Sequence, residues 1–258
     1  MTTFITKPDL EAKPDFNARI FDLLDRVEYR RIETAEDMEE VGRIRAKAYK
    51  LADIMPISGN VIIDDLDFDP QSYVFGIYYD ERLISTMRIH HVTPEHRVSA
   101  SAGIFSSAID SFLDAGMSLI DPARFAADPE EMRHLRGMHM LTIRLALIAT
   151  EFFDADRCLS MVVPQHAAFY ERTIESRVVV PATSETGGYN VSATLLAADL
   201  RSSRHRINER FPFFRAQRHE MRMLYGKPND VASTPLTILP TARYAANIRR
   251  APSAALPA

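Results

Sequence analysis

Two short apolar runs of this chain carry charges that a plain β-strand has no reason to contain. One is Leu119-Ile-Asp-Pro-Ala-Arg-Phe-Ala-Ala-Asp128, and the other, upstream, is Leu83-Ile-Ser-Thr-Met-Arg-Ile-His90. A strand that packs on a core excludes Asp121, Arg124 and Arg88 unless each finds a partner, because an unpaired buried charge is costly. Charges that persist in such places are paired, and often do chemistry. Any fold for this chain must bring these strands together and supply partners for their charges.

Length limits the choice. With 258 residues the chain makes one large domain or two small ones. A net charge of −4 gives no sign of a nucleic-acid binder. The charge is uneven: seven Arg against Glu209 and Glu220 between positions 201 and 222 give +5, which leaves −9 for the remainder. That basic run reads as a solvated amphipathic helix, or as a docking patch for an acidic partner. Cys158 is the sole cysteine, so an intrachain disulfide and a cysteine metal site are excluded, as suits a reducing cytoplasm. No early segment has the pattern of a signal peptide. The apolar stretch Leu145–Phe153 is broken by Glu151 and is too short to span a bilayer.

The pattern predicts a mixed sheet with helices on its faces, an α/β (α+β) architecture. Residues 1–18 read as a flexible N-terminus, 19–225 as the folded domain and 226–258 as a disordered tail. Strands are expected over 27–32, 73–79, 83–91, 118–126, 159–163, 178–181 and 190–197. Thr34 reads as an N-cap, with Asp37 three residues on and a helix to about Leu51. One long helix is expected over 130–153, and another over 164–175 with Pro164 at its start.

Four motifs then occur in order: Arg45-x-x-x-Tyr49, Asp64-x-x-Asp67, Arg88 in its strand, and Asp121-x-x-Arg124-Phe125. In this order and on these elements they resemble the acyl-homoserine-lactone synthases and their relatives the N-acyl amino acid synthases, within the GNAT-like acyl-CoA N-acyltransferase fold. The resemblance covers roughly residues 27 to 177. It implies transfer of a fatty acyl chain from acyl carrier protein to an amino-acid-type amine. The lactone synthases usually have Glu at the place of Asp121, a small hydroxylated residue at Ala123, and an aromatic residue shortly after the first helix. This chain has no Trp, and offers Met55 and Ile57 there. These departures favour the N-acyl amino acid branch over a lactone synthase that uses S-adenosylmethionine.

Amide formation from a thioester requires a base for the amine, donors for the developing oxyanion and a proton for the leaving thiolate. Asp121 is the candidate base, and its alternative is a structural pair with Arg124. Tyr170 is a candidate acid, or a tyrosine that packs on the sheet. His166 lies one turn before it, as a second candidate base or a capping residue. Arg45 and Arg88 are candidates for holding the acceptor carboxylate, with Tyr49, Asp64 and Asp67 around them, although two Arg and two Asp can also simply neutralise one another. Asp64, Asp65, Asp67 and Asp69 lack the Gly and the distal Glu of a calcium loop, so no metal is expected. Coenzyme-A-dependent relatives carry a glycine-rich phosphate loop before the long helix, and His134-Leu-Arg-Gly137-Met-His139 has one glycine. Arg133, Arg136, Gly137 and His139 at that helix start would suit the single phosphate of a carrier protein's pantetheine arm. Phe75, Ile77, Phe105, Phe112, Met138, Met140 and Met161 are candidates for an acyl slot, or for core.

The expected activity is therefore a cytoplasmic N-acyltransferase with acyl carrier protein as donor and partner, no resident cofactor, an amino acid acceptor and at most peripheral membrane contact. Its rivals are a lactone synthase, which would release methylthioadenosine, an enzyme that acylates ornithine or another lipid-head amine, and a module that binds acyl ligands without turnover.

Overall fold

The computed structural model describes residues 15–226, so residues 1–14 and the expected tail from 227 on lie outside it. In chain order the elements are α1 (Phe16–Leu24), β1 (Val27–Arg31), α2 (Ala35–Leu51), a 3-10 turn (Asp65–Phe68), β2 (Ser72–Tyr79), β3 (Arg82–Val92), α3 (Ala100–Ile104), α4 (Ser106–Asp114), β4 (Leu119–Ala127), α5 (Glu131–His134), α6 (Met138–Phe152), β5 (Arg157–Val162), α7 (Pro164–Ile174), β6 (Arg177–Thr183), β7 (Ala193–Ala198), α8 (Leu200–Arg210) and α9 (Arg218–Tyr225). Seven strands form one mixed sheet in the order β1-β2-β3-β4-β5-β7-β6.

Local chemistry explains the clearest elements. The Thr34 hydroxyl accepts from the Asp37 backbone N–H at 3.1 Å and opens α2, which buries Met38, Val41 and Ile44 against the sheet. Asp80 and Glu81, with φ of 47° and 66°, make the two-residue turn that joins β2 to β3, and such turns match strand twist.

Two expected helices are broken. The helix read over 130–153 divides into α5 and α6, because Gly137 takes φ 101° and its missing Cβ makes room for Ile20 of α1, which would lie 2.3 Å from a Cβ there. The basic run, read as one helix, divides into α8, a 3-10 turn at Pro212–Phe214 and α9; Pro212 cannot donate the N–H that a continuing helix needs. Three of its seven Arg are spent on ion pairs with the chain itself. Arg201 pairs with Asp154 and Asp156, Arg204 with Glu151, and Arg206 with Glu175.

Helix α6 buries twelve of its fifteen residues, so it is covered on all sides: the sheet lies on one face and α1, α8 and α9 pack around the others. Its one charged buried residue, Arg144, pairs with Glu220 of α9 and donates to the carbonyls of Phe213 (2.7 Å) and Arg215 (2.6 Å). Tyr29 and Tyr225 donate to the carbonyls of Leu141 and Leu145 at 2.8 and 2.7 Å.

The feature that positions the site is a split in the sheet. β4 and β5 run parallel and pair only at Leu119↔Arg157 and Ile120↔Cys158. Beyond those positions β4 stays with β3 and β5 stays with β7, so the facing edges diverge. Pro122, two residues past the last paired position, has no N–H to give to a ladder.

Candidate active site

The split holds a cavity of about 390 Å³, a size typical of small-molecule sites. One wall is Pro122–Ala127 of β4, and the other is Cys158–Val162 of β5. Ile143, Ala146 and Leu147 of α6 close it from one side, and Ala48 and Tyr49 of α2, with Ala52 just after it, from the other. Among the residues read from sequence as an acyl slot, Met161 lines the cavity. Phe75, Ile77, Met138 and Met140 instead pack in the main core, and Phe105 and Phe112 pack between α3/α4 and the sheet. They are correct as apolar interior and misplaced as slot: the helices cover the sheet faces, whereas the cavity lies between strand edges.

The polar end of the cavity is a chain of alternating charges. Arg45 Nη1 donates to Asp67 Oδ2 at 2.8 Å, and Arg88 Nη1 donates to Asp67 Oδ1 at 3.1 Å. Arg88 also pairs with Asp64, which in turn accepts from Arg124 through Nε at 3.0 Å and through a second guanidinium nitrogen. Asp67 also accepts from the Asp64 backbone N–H at 3.0 Å, which closes the 3-10 turn between them. The four motifs thus meet as one network. Three guanidiniums against two carboxylates leave one positive charge in excess, and Arg88 and Arg124 face the cavity.

A bulge aims Arg124. In the β3–β4 ladder Thr86 faces Ala126 and Arg88 faces Ala123, so β4 carries an extra residue, and Arg124 takes φ 53°. Left-handed backbone is costly for a residue with a side chain, and such conformations cluster at functional sites. The Arg124 guanidinium sits 5.9 Å from the centroid of the Tyr49 ring, and Nη1 reaches Met55 Sδ at 3.5 Å. Burial alone would lower its pKa; Tyr189, Tyr49 and Asp64 outweigh that and raise it. Burial would likewise raise Asp64, but Arg88 and Arg124 hold it below the usual carboxylate range. Arg45 is fully buried, and burial lowers its pKa against the pull of Asp67.

Asp121 stands elsewhere. It is fully buried, does not line the cavity, and accepts from the Ser101 backbone N–H at 2.8 Å and the Ser101 hydroxyl at 2.7 Å. The structure does not pair Asp121 with Arg124: Asp121 is held by Ser101, and the bulge at Arg124 turns its guanidinium toward Asp64. His90 faces Asp121 across the ladder and is lowered in pKa by burial and by Arg88. His91 stacks on Phe153 at 4.2 Å.

Tyr170 and His166 of α7 both line the cavity, as does Cys158 at the apex of the split. Burial, with Cys158 nearby, pushes the Tyr170 phenol up to about 12, which keeps it protonated and able to donate. Burial also pushes the Cys158 thiol up to about 12, so it is a core thiol and no nucleophile.

At the start of α6 the expected phosphate residues separate. Arg133 and Arg136 are exposed and have no ion pair among the described residues. Gly137, expected to cradle a phosphate, has the space beside it filled by Ile20. His139 packs edge-on against Phe169 at 5.3 Å, and burial lowers its pKa, which favours the neutral ring. Among the described residues no cluster of His, Cys, Asp and Glu is placed to hold a metal ion, and no helix is long and apolar enough to cross a membrane.

Sequence reasoning missed Tyr189, which lines the cavity beside Arg124. The available signal was Gly187-Gly188-Tyr189, an aromatic residue that follows two glycines in a hairpin loop.

The family model described as N-acyl amino acid synthase FeeM matches residues 40–199. Among solved structures the chain is similar to FeeM, an N-acyl amino acid synthase from uncultured soil microbes, at 17% identity and a TM-score of 0.58, over 70% of this chain and 94% of that one. It is also similar to BjaI, a CoA-dependent acyl-homoserine lactone synthase solved with MTA, at 13% identity and a TM-score of 0.50, over 72% and 90% of the two chains. At these identities the two structures establish the shared GNAT-like fold. No curated protein sequence matches.

Proposed function

The chain belongs to the FeeM family of N-acyl amino acid synthases, and we propose on that premise that it joins a fatty acyl group from acyl carrier protein to the amine of a free amino acid. It is an acyltransferase that acts on an amine; donor and acceptor are the proposal.

The observation that supports this reading is the shape of the charge around the cavity. An apolar slot runs between β4 and β5 and ends at Arg88 and Arg124, in a network with one positive charge in excess. An N-acyl amino acid has the complementary form, with a long apolar chain, an amide and one carboxylate. The carboxylate would meet the Arg124 guanidinium, whose side chain is 10% exposed, and satisfy the excess charge.

In the reaction the amine nitrogen attacks the thioester carbon, the C–S bond breaks and the thiolate leaves. Backbone N–H groups on the diverging edges of β4 and β5 are not spent on each other, and can polarise the thioester oxygen as charge develops there. The protonated Tyr170 hydroxyl donates to the departing sulfur and recovers a proton from the nitrogen as the tetrahedral intermediate collapses to the amide. His166, exposed on the same face of α7 and lining the cavity, takes the proton from the ammonium. Asp121 acts at a distance, since its bonds to Ser101 fix α3 against β4.

For the donor, Arg133 and Arg136, exposed and without an ion pair among the described residues, suit one phosphate and an acidic carrier protein, whereas Arg201, Arg204 and Arg206 of the 201–222 run are spent on pairs within the chain. The test compares kcat/KM for acyl carrier protein and coenzyme A thioesters of one chain length, with and without Arg133→Ala/Arg136→Ala. The carrier thioester should be the better substrate, and the double variant should lose most of that preference. Equal use of both donors, unaffected by the variant, would refute the carrier assignment.

A further inference from the structure

The loop between β6 and β7, residues 184–192, is tied to the other side of the cavity. The Asn190 backbone N–H donates to the Ile54 carbonyl at 2.8 Å, and its side-chain Nδ2 donates to Asp53 Oδ1 at 2.9 Å. Those partners follow α2, 137 positions earlier in the chain for the side-chain bond. On its other flank the loop meets α3, since a Cβ on Gly187 would lie 3.8 Å from Ile104, itself a cavity residue. Between the two anchors Tyr189 and Val191 line the cavity with Ile54, Tyr49 and Arg124. The buried Thr186 hydroxyl lies 3.2 Å from the carbonyls of both Tyr189 and Val191 and shapes the loop from within. Gly187 and Gly188 take φ of 63° and 101°, which lets the chain turn sharply before Tyr189.

We propose that residues 184–192 are a lid over the acceptor end of the cavity and that Tyr189 touches the bound acceptor, sharing with Tyr49 the selection of what enters beside Arg124. This rests on the acceptor reading given above. The geometry carries it. The loop bridges the end of α2 and α3 over the charged end, where Tyr189 lines the cavity beside Arg124 and Tyr49. The latch is weak by construction: both Asn190 bonds lie at the surface, where a hydrogen bond contributes about 1 kcal/mol. A segment held so lightly opens without unfolding the sheet below it.

The chain contains no Trp, so Tyr189→Trp introduces a sole indole reporter on the lid. The probes are N-dodecanoylglycine, which carries a carboxylate, and its methyl ester, which does not. Calorimetry on the unaltered protein first establishes binding of the acid. The acid should then shift the emission of Tyr189→Trp and saturate, the ester should bind at least about tenfold more weakly, and Asn190→Ala in the same background should weaken the acid about fivefold, the factor that one such bond allows. In turnover, Asn190→Ala alone should raise KM for the acceptor and leave KM for the acyl donor and the melting temperature unchanged. If the acid binds the unaltered protein but the indole emission stays constant, the lid assignment fails and the acceptor reading stands. If the acid does not bind the unaltered protein, the acceptor reading fails and takes the lid with it.

Discussion

At the scale of single residues, Asp67 and Arg124 belong to one network and have opposite duties. The Asp67 side chain is fully buried, bridges Arg45 and Arg88 and caps the 3-10 turn, so its removal leaves the buried Arg45 guanidinium without a carboxylate and Arg88 with Asp64 alone. Breaking a buried pair costs about 3–5 kcal/mol, so Asp67→Ala should lower the melting temperature markedly. Arg124 lies at the cavity and its partner Asp64 is partly exposed, so Arg124→Ala should stay folded and lose turnover. Lys there offers no planar fork and should not restore activity. Thermal melts and product assays on the two variants check this; the reverse pattern would mean that the roles are exchanged. Tyr170 gives a pH prediction. Its acid form persists up to about 12, so donation to sulfur is retained as pH rises through the assay range, and no alkaline limb below pH 10 should trace to it. Tyr170→Phe should lower kcat by about 100-fold, the scale of one general acid, with little change in KM. A kcat equal to that of the parent would remove Tyr170 from the mechanism. The network itself was legible in the sequence, because charges inside apolar strands demand partners. The pairing of Arg45 and Arg88 with Asp64 and Asp67 was legible too, whereas the place of Arg124 in it was not. Asp121 reads as the base, or as a pair with Arg124; instead Ser101 holds Asp121, and the bulge at Arg124, with nothing but an Arg to mark it, turns that side chain to Asp64.

At the scale of elements, the sequence shows what local chemistry decides and hides what packing decides. Thr34 and Asp37 fix the start of α2 by a bond between near neighbours, and the spacing of the hairpin fixes β2 and β3. The break before α6 depends on Ile20, more than a hundred residues away, filling the place of a Gly137 side chain, while the apolar pattern runs on across it. The attachment of α9 to α6 is equally remote. Arg144 and Glu220 pair where both side chains are at most 2% exposed. Arg144→Met leaves Glu220 charged and alone and should cost about 3–5 kcal/mol, whereas Arg144→Met/Glu220→Met should recover much of that loss. Urea denaturation measures both; a double variant as unstable as the single would show that the carbonyls of Phe213 and Arg215, which Arg144 also satisfies, carry the attachment.

At the scale of the whole molecule, two strands that part after two paired positions turn an ordinary mixed sheet into an enzyme. The helices build a rigid frame around that split, the split supplies an apolar slot, and the α2 face supplies Arg and Asp at one end of it. Element order and motif order were enough to point to this fold and family. The location of the slot was not legible, since the same Phe and Met residues serve a core as well as a cavity, and only the divergence of β4 and β5 distinguishes the two. The proposed reaction joins a fatty acyl chain to an amino acid in this cavity under the control of Arg124. It is tested most directly by expressing the protein in a bacterial host that supplies acyl carrier protein and comparing extracts with an Arg124→Ala control by mass spectrometry. The account predicts a new N-acyl amino acid, absent from the control, whose mass gives acceptor and chain length together. An acyl lactone, or no acylated product from folded protein, would contradict it.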